Sequence, residues 1–355
     1  MSTNIGWVRN PDGTKGETWN PIIGCSKASP GCANCYAETI AGTRLVNIPS
    51  TAKRYQEVIT DGKWNGKTFL VESELEKPLR WKKPRTIFVC SMGDLFHESV
   101  KASWIDKVFA VMALCPQHRF MVLTKRPERM ARYFNSHGEF GGAQVWQKVV
   151  NEMLSLTRDL EKAYLPMHVT HLPNVWLGTT VENQEQADKR IPHLLRCPAS
   201  LRFLSVEPML NEIDLRFYTQ LWADDRGDNG SDEFREEHGW GYNDYSGGFC
   251  GAGDDLYDPQ PCLGWVICGG ESGKSARPMD PEWVRSLRDQ CKAAEVPFFF
   301  KQWGEWLHES TIDPMAYCDL WVIEAKRVDG FLKVGKNCAG RRLDGVFHDE
   351  FPEVV

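Results

Sequence analysis

Cys25, Cys32 and Cys35 stand close together in a loop that follows a short apolar stretch: Trp19-Asn-Pro-Ile-Ile-Gly-Cys25-Ser-Lys-Ala-Ser-Pro-Gly-Cys32-Ala-Asn-Cys35-Tyr-Ala-Glu38. Three thiolates from one loop can bind three irons of a [4Fe-4S] cube and leave the fourth open to a small chelating ligand. An open iron points to S-adenosylmethionine (SAM) as that ligand. Two other chemistries use the same residue types. Cys-x2-Cys is half of many zinc sites, and a zinc site here would draw on scattered later ligands such as Cys90 and His97. A disulfide is the third option, although no signal peptide precedes these residues and the twelve cysteines are irregularly spaced.

Positioning such a loop calls for a rigid scaffold, and the chain repeats one. Short β-branched or aromatic runs recur near 19–24, 86–90, 120–124, 175–180, 201–206, 265–269 and 297–301, each followed by a loop and a helical pattern. That alternation is the signature of βα units and a parallel sheet. Phe-Met-Val-Leu at 120–123 and Trp-Val-Ile-Cys at 265–268 are continuously apolar, as strands covered on both faces should be. The expected fold class is α/β, a partial (β/α)6-7 TIM-like barrel. An Asn65-Gly66 turn between β-formers marks an added hairpin within 50–84. The spacing of Val145, Val149, Met153, Leu156 and Leu160 predicts an amphipathic helix over 143–164.

In such sheets the chemistry sits where strands reach their carboxyl edge. Six loops at that edge are polar: Ser91-Met-Gly93-Asp94 with His97 and Glu98; Thr124-Lys125-Arg126; Thr180-Val-Glu182-Asn183; Ser205-Val-Glu207; Gly270-Glu271-Ser272; and Lys301-Gln302-Trp303. A polar residue after one strand is ordinary turn and cap chemistry. Six together outline a pocket, with Glu271 and Lys301 as the expected catalytic groups. Lys125, Arg126 and Lys301 can pair with phosphates, and Trp303 and Trp306 either keep the pocket dry or simply pack.

Hydrophobic content of 42% and charged content of 25% are those of a globular protein, and no apolar run spans a bilayer. A cytoplasmic location without membrane partners is expected, with Cys90, Cys115, Cys197, Cys268 and Cys291 as reduced core thiols. Residues 224–258 hold eleven acidic and two basic residues, a local −9 that leaves +3 for the rest of a chain whose net charge is −6. With eight glycines there, 217–263 reads as an acidic flexible insertion. The expected division is therefore an N-terminal segment 1–16, a barrel domain 17–306 and a C-terminal extension 307–355. Lys326, Arg327, Lys333, Lys336, Arg341 and Arg342 give that extension a basic face.

With the cysteine loop and the strand ends together, the sequence resembles the radical SAM superfamily. More closely it is similar to a phage- and prophage-encoded three-cysteine-motif family formerly of unknown function. Trp19-Asn-Pro, Gly24-Cys25, Pro30-Gly-Cys32, Cys35-Tyr-Ala-Glu38, Cys90-Ser-Met-Gly-Asp94-Leu-Phe-His97, Leu123-Thr-Lys-Arg-Pro127, Trp176 to Asn183, Ser205-Val-Glu-Pro208, Gly269 to Gly273, Arg277-Pro-Met279 and Phe300-Lys-Gln-Trp-Gly304 carry the match. The superfamily's usual spacing is Cys-x3-Cys-x2-Cys, whereas six residues separate Cys25 from Cys32 here.

The resemblance implies that Cys25, Cys32 and Cys35 ligate the cluster. It also implies that Ser91, Gly93 and Asp94 take the methionine amine of SAM, that Thr180, Glu182 and Asn183 face its ribose, and that Glu207 lies on the cofactor's other side. It implies reductive SAM cleavage with an electron donor such as a flavodoxin or ferredoxin, and hydrogen abstraction from a nucleotide or DNA base. A radical rearrangement in phage pyrimidine hypermodification is one concrete form. The contrasting expectation is a non-catalytic zinc- or cluster-stabilised nucleic-acid-binding or interaction protein.

Overall fold

The computed structural model describes residues 2–135, 141–157, 165, 169–216, 263–312 and 325–353. Its centre is a mixed α/β arrangement built on seven parallel strands: β1 Glu17–Trp19, β2 Thr86–Val89, β3 Arg119–Thr124, β4 Val175–Thr180, β5 Leu201–Val206, β6 Trp265–Gly269 and β7 Phe298–Gln302. Each strand pairs with its neighbour in the sequence, and the sheet curls into a half-barrel. The order follows from parallel pairing, which needs a long crossover between strands. Here α1 Tyr36–Thr43, α2 Ala102–Ala113, α3 Pro127–Asn135, α4 Gly141–Leu156, α5 Gln184–Leu195 and α6 Pro281–Ala293 lie along those crossovers.

Because strand side chains alternate, the runs of apolar residues supply two cores. Ile87, Val89, Phe120, Val122, Val175, Leu177, Leu204, Val266 and Phe298 pack outward against the helices. Phe88, Met121, Trp176, Phe203, Trp265 and Phe299 point inward, where Trp7 and Val8 of the N-terminal segment join them. The Trp7 ring lies 5.0 Å from Phe88 and 6.4 Å from Trp265, and Phe351 reaches Trp265 at 5.2 Å. Residues near both ends of the chain thus fill the inside of the curl.

Gly178 is part of this filling, since a Cβ there would meet three Phe203 ring atoms at 2.6 to 2.7 Å. Gly178→Ala is expected to cost about 1–3 kcal/mol through overpacking, read as a lower midpoint of thermal unfolding.

Several expectations are met closely, including strands over 175–180, 201–206 and 265–269 and buried thiols at Cys90, Cys115, Cys197, Cys268 and Cys291. Burial pushes the thiols of Cys90, Cys115, Cys197 and Cys291 up to about 12, so they stay protonated and unreactive. Others differ. The strand expected over 19–24 is two elements, because the chain leaves the sheet at Asn20-Pro21 and Ile22–Ile23 then pairs antiparallel with Phe69–Leu70.

The hairpin within 50–84 turns at Asp61-Gly62, joining Ile59–Thr60 to Lys63–Trp64, rather than at Asn65-Gly66. Both Asp61 and Gly62 have positive φ, as a two-residue type I′ turn requires. Trp303 and Trp306 pack: their indole N–H groups donate to Arg342 O at 2.8 Å and Ala276 O at 2.6 Å. In the C-terminal extension, Trp306–His308, Lys326–Val328 and Phe331–Lys333 form a small antiparallel sheet. Nearly all of the acidic insertion 217–263, and the end of the helix expected over 143–164, lie outside the described residues.

Candidate functional site

The cysteine loop begins where Gly24 forms a parallel bridge to Gly93, with the Gly24 N–H donating to Met92 O at 3.1 Å. A single 3-10 turn, Pro30–Cys32, shapes its middle, and Cys35 in extended conformation caps α1. The loop therefore sits over the carboxyl edge of the sheet. Cys25, Cys32 and Cys35 are half-buried and free. Burial pushes the Cys25 thiol up to about 12, with the Asp94 carboxylate adding to it and Arg126 opposing. Burial also raises the Cys35 thiol, to which Cys32 adds.

Three ion-pair clusters from different strand ends hold this loop. At its start, Arg126 after β3 donates from Nη1 to Asp94 Oδ2 at 3.0 Å, from Nε to both Glu98 oxygens at 2.8 and 2.9 Å, and from Nη2 to Ser26 Oγ at 2.9 Å. In its middle, the fully buried Glu182 accepts from Lys125, from Arg190 of α5 at 2.9 Å and from Ser29 Oγ at 2.5 Å. Gly31 passes directly over this carboxylate, where a Cβ would collide with it. Near its end, Asn34 donates to Glu271 Oε2 at 2.9 Å. Arg277 doubly engages the same Glu271 and donates to Pro30 O at 3.0 Å.

Glu182 and Glu271 keep their charge for a visible reason. Burial alone would raise Glu182, and Lys125 with Arg190 outweighs it, so the group lies below the usual carboxylate range. Glu271 behaves likewise, with Arg277 and Asn34 overcoming burial. Such pairs in the interior are held by hydrogen bonds on every side, which is the condition for tolerating their desolvation.

The strand-end residues expected to bind cofactor are brought together around this loop, and many of their polar atoms have partners. Asp94 is buried and accepts from Thr124 Oγ1 at 2.7 Å, Phe96 N at 2.9 Å and Arg126. Ser91 Oγ donates to Asn20 Oδ1 at 3.2 Å, while its carbonyl accepts from Tyr36 Oη at 2.9 Å. A Cβ added at Gly93 would lie 3.0 Å from the Gly24 and Ile22 carbonyl oxygens. Thr180 is buried and lends its carbonyl to Arg190 at 2.7 Å. Glu207 pairs with Lys301 at 2.8 Å, both half-buried. Tyr36, the first residue of α1, exposes 53% of its surface.

Asn183 caps α5, its Oδ1 accepting from Gln186 N at 3.0 Å. Asn183→Ala is expected to cost about 1 kcal/mol of stability and Asn183→Asp nearly none, measured by denaturant unfolding. A loss of ligand affinity without a loss of stability would count against the cap.

Lys125 and Arg126, expected to face phosphates, spend their charges on Glu182 and on Asp94 with Glu98. Ser29, Asn34, Arg190 and Arg277 complete the clamps, roles that no local pattern announces because their partners lie far along the chain or across a turn. His97 is buried against Ser26 of the cysteine loop, with Nε2 2.8 Å from Ser26 Oγ and Nδ1 accepting from Ser99 N at 3.2 Å. Burial and Arg126 hold its imidazole below its ordinary value, so it is neutral near pH 7.

Among the described residues, no group of three or more His, Cys, Asp or Glu side chains is gathered to hold a metal ion. The donor set nevertheless fits a cluster in type and number. A cube takes one thiolate per iron, so its three sulfurs need not converge on a single point. Three free thiols on one clamped loop, with a cationic donor at Cys25, meet that requirement.

The chain matches the DUF5131 family, described as a protein of unknown function, over residues 2–352, and it belongs to that family. No curated protein and no solved structure matches it. Among the described residues, no helix is long and apolar enough to cross a membrane.

Proposed function

We propose that this protein is a radical SAM enzyme on a partial (β/α)6-7 TIM-like barrel. The observation carrying this reading is the placement of Cys25, Cys32 and Cys35, free and half-buried, on one loop clamped over the carboxyl edge of a parallel sheet. When bound, the cluster would supply an electron for SAM cleavage, and with it a radical able to take hydrogen from an unactivated carbon.

The chain's own residues do the rest. The three thiols hold the cluster, and the Lys125–Glu182–Arg190, Arg126–Asp94–Glu98 and Arg277–Glu271 groups fix the loop before any cofactor arrives. Glu207 and Lys301, paired at 2.8 Å at the carboxyl ends of β5 and β7, can orient a polar substrate. The substrate class in this reading is a nucleotide or modified DNA base, rearranged by radical chemistry as in phage hypermodification. A flavodoxin or ferredoxin would deliver the electron.

Anaerobic reconstitution with iron and sulfide tests the proposal. A brown protein holding one cubane per chain and releasing 5′-deoxyadenosine from SAM and dithionite supports it. A colourless protein that takes up zinc instead overturns it in favour of a non-catalytic zinc-stabilised module.

A further inference from the structure

The three cysteine sulfurs do not have equivalent surroundings. Ala28 N–H approaches Cys32 Sγ at 3.5 Å and Ser29 Oγ lies 4.0 Å from it, both neutral groups. Cys35 occupies the N-cap position of α1, with no side-chain hydrogen bond there. Cys25 differs: Arg126 Nη1 donates to its Sγ at 3.7 Å. The same guanidinium donates from Nη2 to Ser26 O at 3.2 Å and Ser26 Oγ at 2.9 Å, gripping main chain and side chain of the next residue.

Arg126 is held in turn. Its Nε and Nη1 are fixed by Glu98 and by buried Asp94, and only 8% of its surface is exposed. His97, with Nδ1 occupied by Ser99 N, presents Nε2 to the same Ser26 hydroxyl. A planar, permanently charged fork is the group that can satisfy two carboxylates on one side and a cysteine loop on the other.

We infer that Arg126 is a positioning residue that fixes Cys25 and raises the reduction potential of the cluster held there. The inference rests on the proposed function. Reduction by one electron, supplied by a low-potential donor, makes a thiolate-bound cluster more negative. A cationic hydrogen-bond donor at one of its sulfurs stabilises that reduced state.

The test compares wild type with Arg126→Lys, Arg126→Met and the double variant Arg126→Met with Asp94→Asn. The double variant leaves no buried carboxylate unpaired, so it remains informative where the single Met variant fails to fold. Two quantities are read: the midpoint potential of the reconstituted protein by dye-mediated titration, and amide hydrogen exchange over 24–29 in the metal-free protein. The expected potentials fall in the order wild type, Arg126→Lys, Arg126→Met, the Lys variant being intermediate because it keeps the charge and loses the fork. In the double variant the lost Asp94 charge offsets part of the fall, so its potential is expected between those of Arg126→Met and wild type. Exchange over 24–29 is expected to quicken about tenfold in the Met variants, a local opening without global unfolding.

A folded variant with full cluster content and an unchanged potential overturns the tuning, and unchanged exchange overturns the positioning. Should wild type itself take up no cluster, the proposed function and the tuning fall together, and exchange alone then decides whether Arg126 positions Cys25.

Discussion

Replacing Cys25, Cys32 or Cys35 singly with Ala is expected to abolish [4Fe-4S] binding, whereas Cys115→Ala and Cys291→Ala keep full iron and sulfide content. The contrast rests on where the sulfurs lie. Cys115 and Cys291 are at most 1% exposed within the apolar core outside the sheet. No cluster can reach them without unfolding the helices around them, and their removal costs only packing, about 1–2 kcal/mol for so small a side chain. Cys25, Cys32 and Cys35 sit on the clamped loop at the carboxyl edge, and each would be the sole protein ligand of its iron. Loss of one leaves two irons open, which a cube exposed to solvent does not survive. Iron and sulfide assays after anaerobic reconstitution read the result directly. A Cys32→Ala protein that keeps a complete cube would remove the central ligand from the assignment.

Much of this arrangement is legible in the residues themselves. Six apolar runs mark six of the seven strands because strands covered on both faces are apolar throughout, and the polar residues that follow them mark the carboxyl edge. Where the reading falls short, the deciding partner is distant. Asn20-Pro21 ends β1 because Asn20 Oδ1 takes Met92 N at 2.9 Å and Pro21 O takes Val71 N at 2.7 Å, contacts 72 and 50 residues away that no local pattern announces. Asn65-Gly66 and Asp61-Gly62 are equally good turn dipeptides. The choice falls to Asp61-Gly62 since Phe69–Leu70 is needed beside Ile22–Ile23. Lys125 and Arg126 look like free cations in the sequence because the carboxylates that claim them, Glu182, Asp94 and Glu98, become neighbours only when the sheet closes.

Glu182→Gln is the sharper test of the loop's architecture, and it is expected to destabilise the protein by about 3 kcal/mol. The carboxylate is fully buried between Lys125 and Arg190, so the amide leaves two cations without their counter-charge. Breaking a buried pair from one side costs about 3–5 kcal/mol, and the lower end applies because Lys125 retains some solvent. Adding Lys125→Met to Glu182→Gln should recover part of the loss, since one orphaned cation is then gone. The pH dependence follows from the same geometry. In the folded protein the Glu182 carboxyl lies below its ordinary value of 4.5, because Lys125 and Arg190 outweigh burial. Its stabilisation is therefore complete above that ordinary value and is lost as pH falls through the folded one. Wild type should weaken more steeply than Glu182→Gln on acidification below about 4.5, and the two stability curves should converge there. Denaturant unfolding across pH measures both halves. Unchanged stability at neutral pH together with lost SAM affinity would take Glu182 out of the clamp and put it against the ribose, where the superfamily resemblance alone would have it.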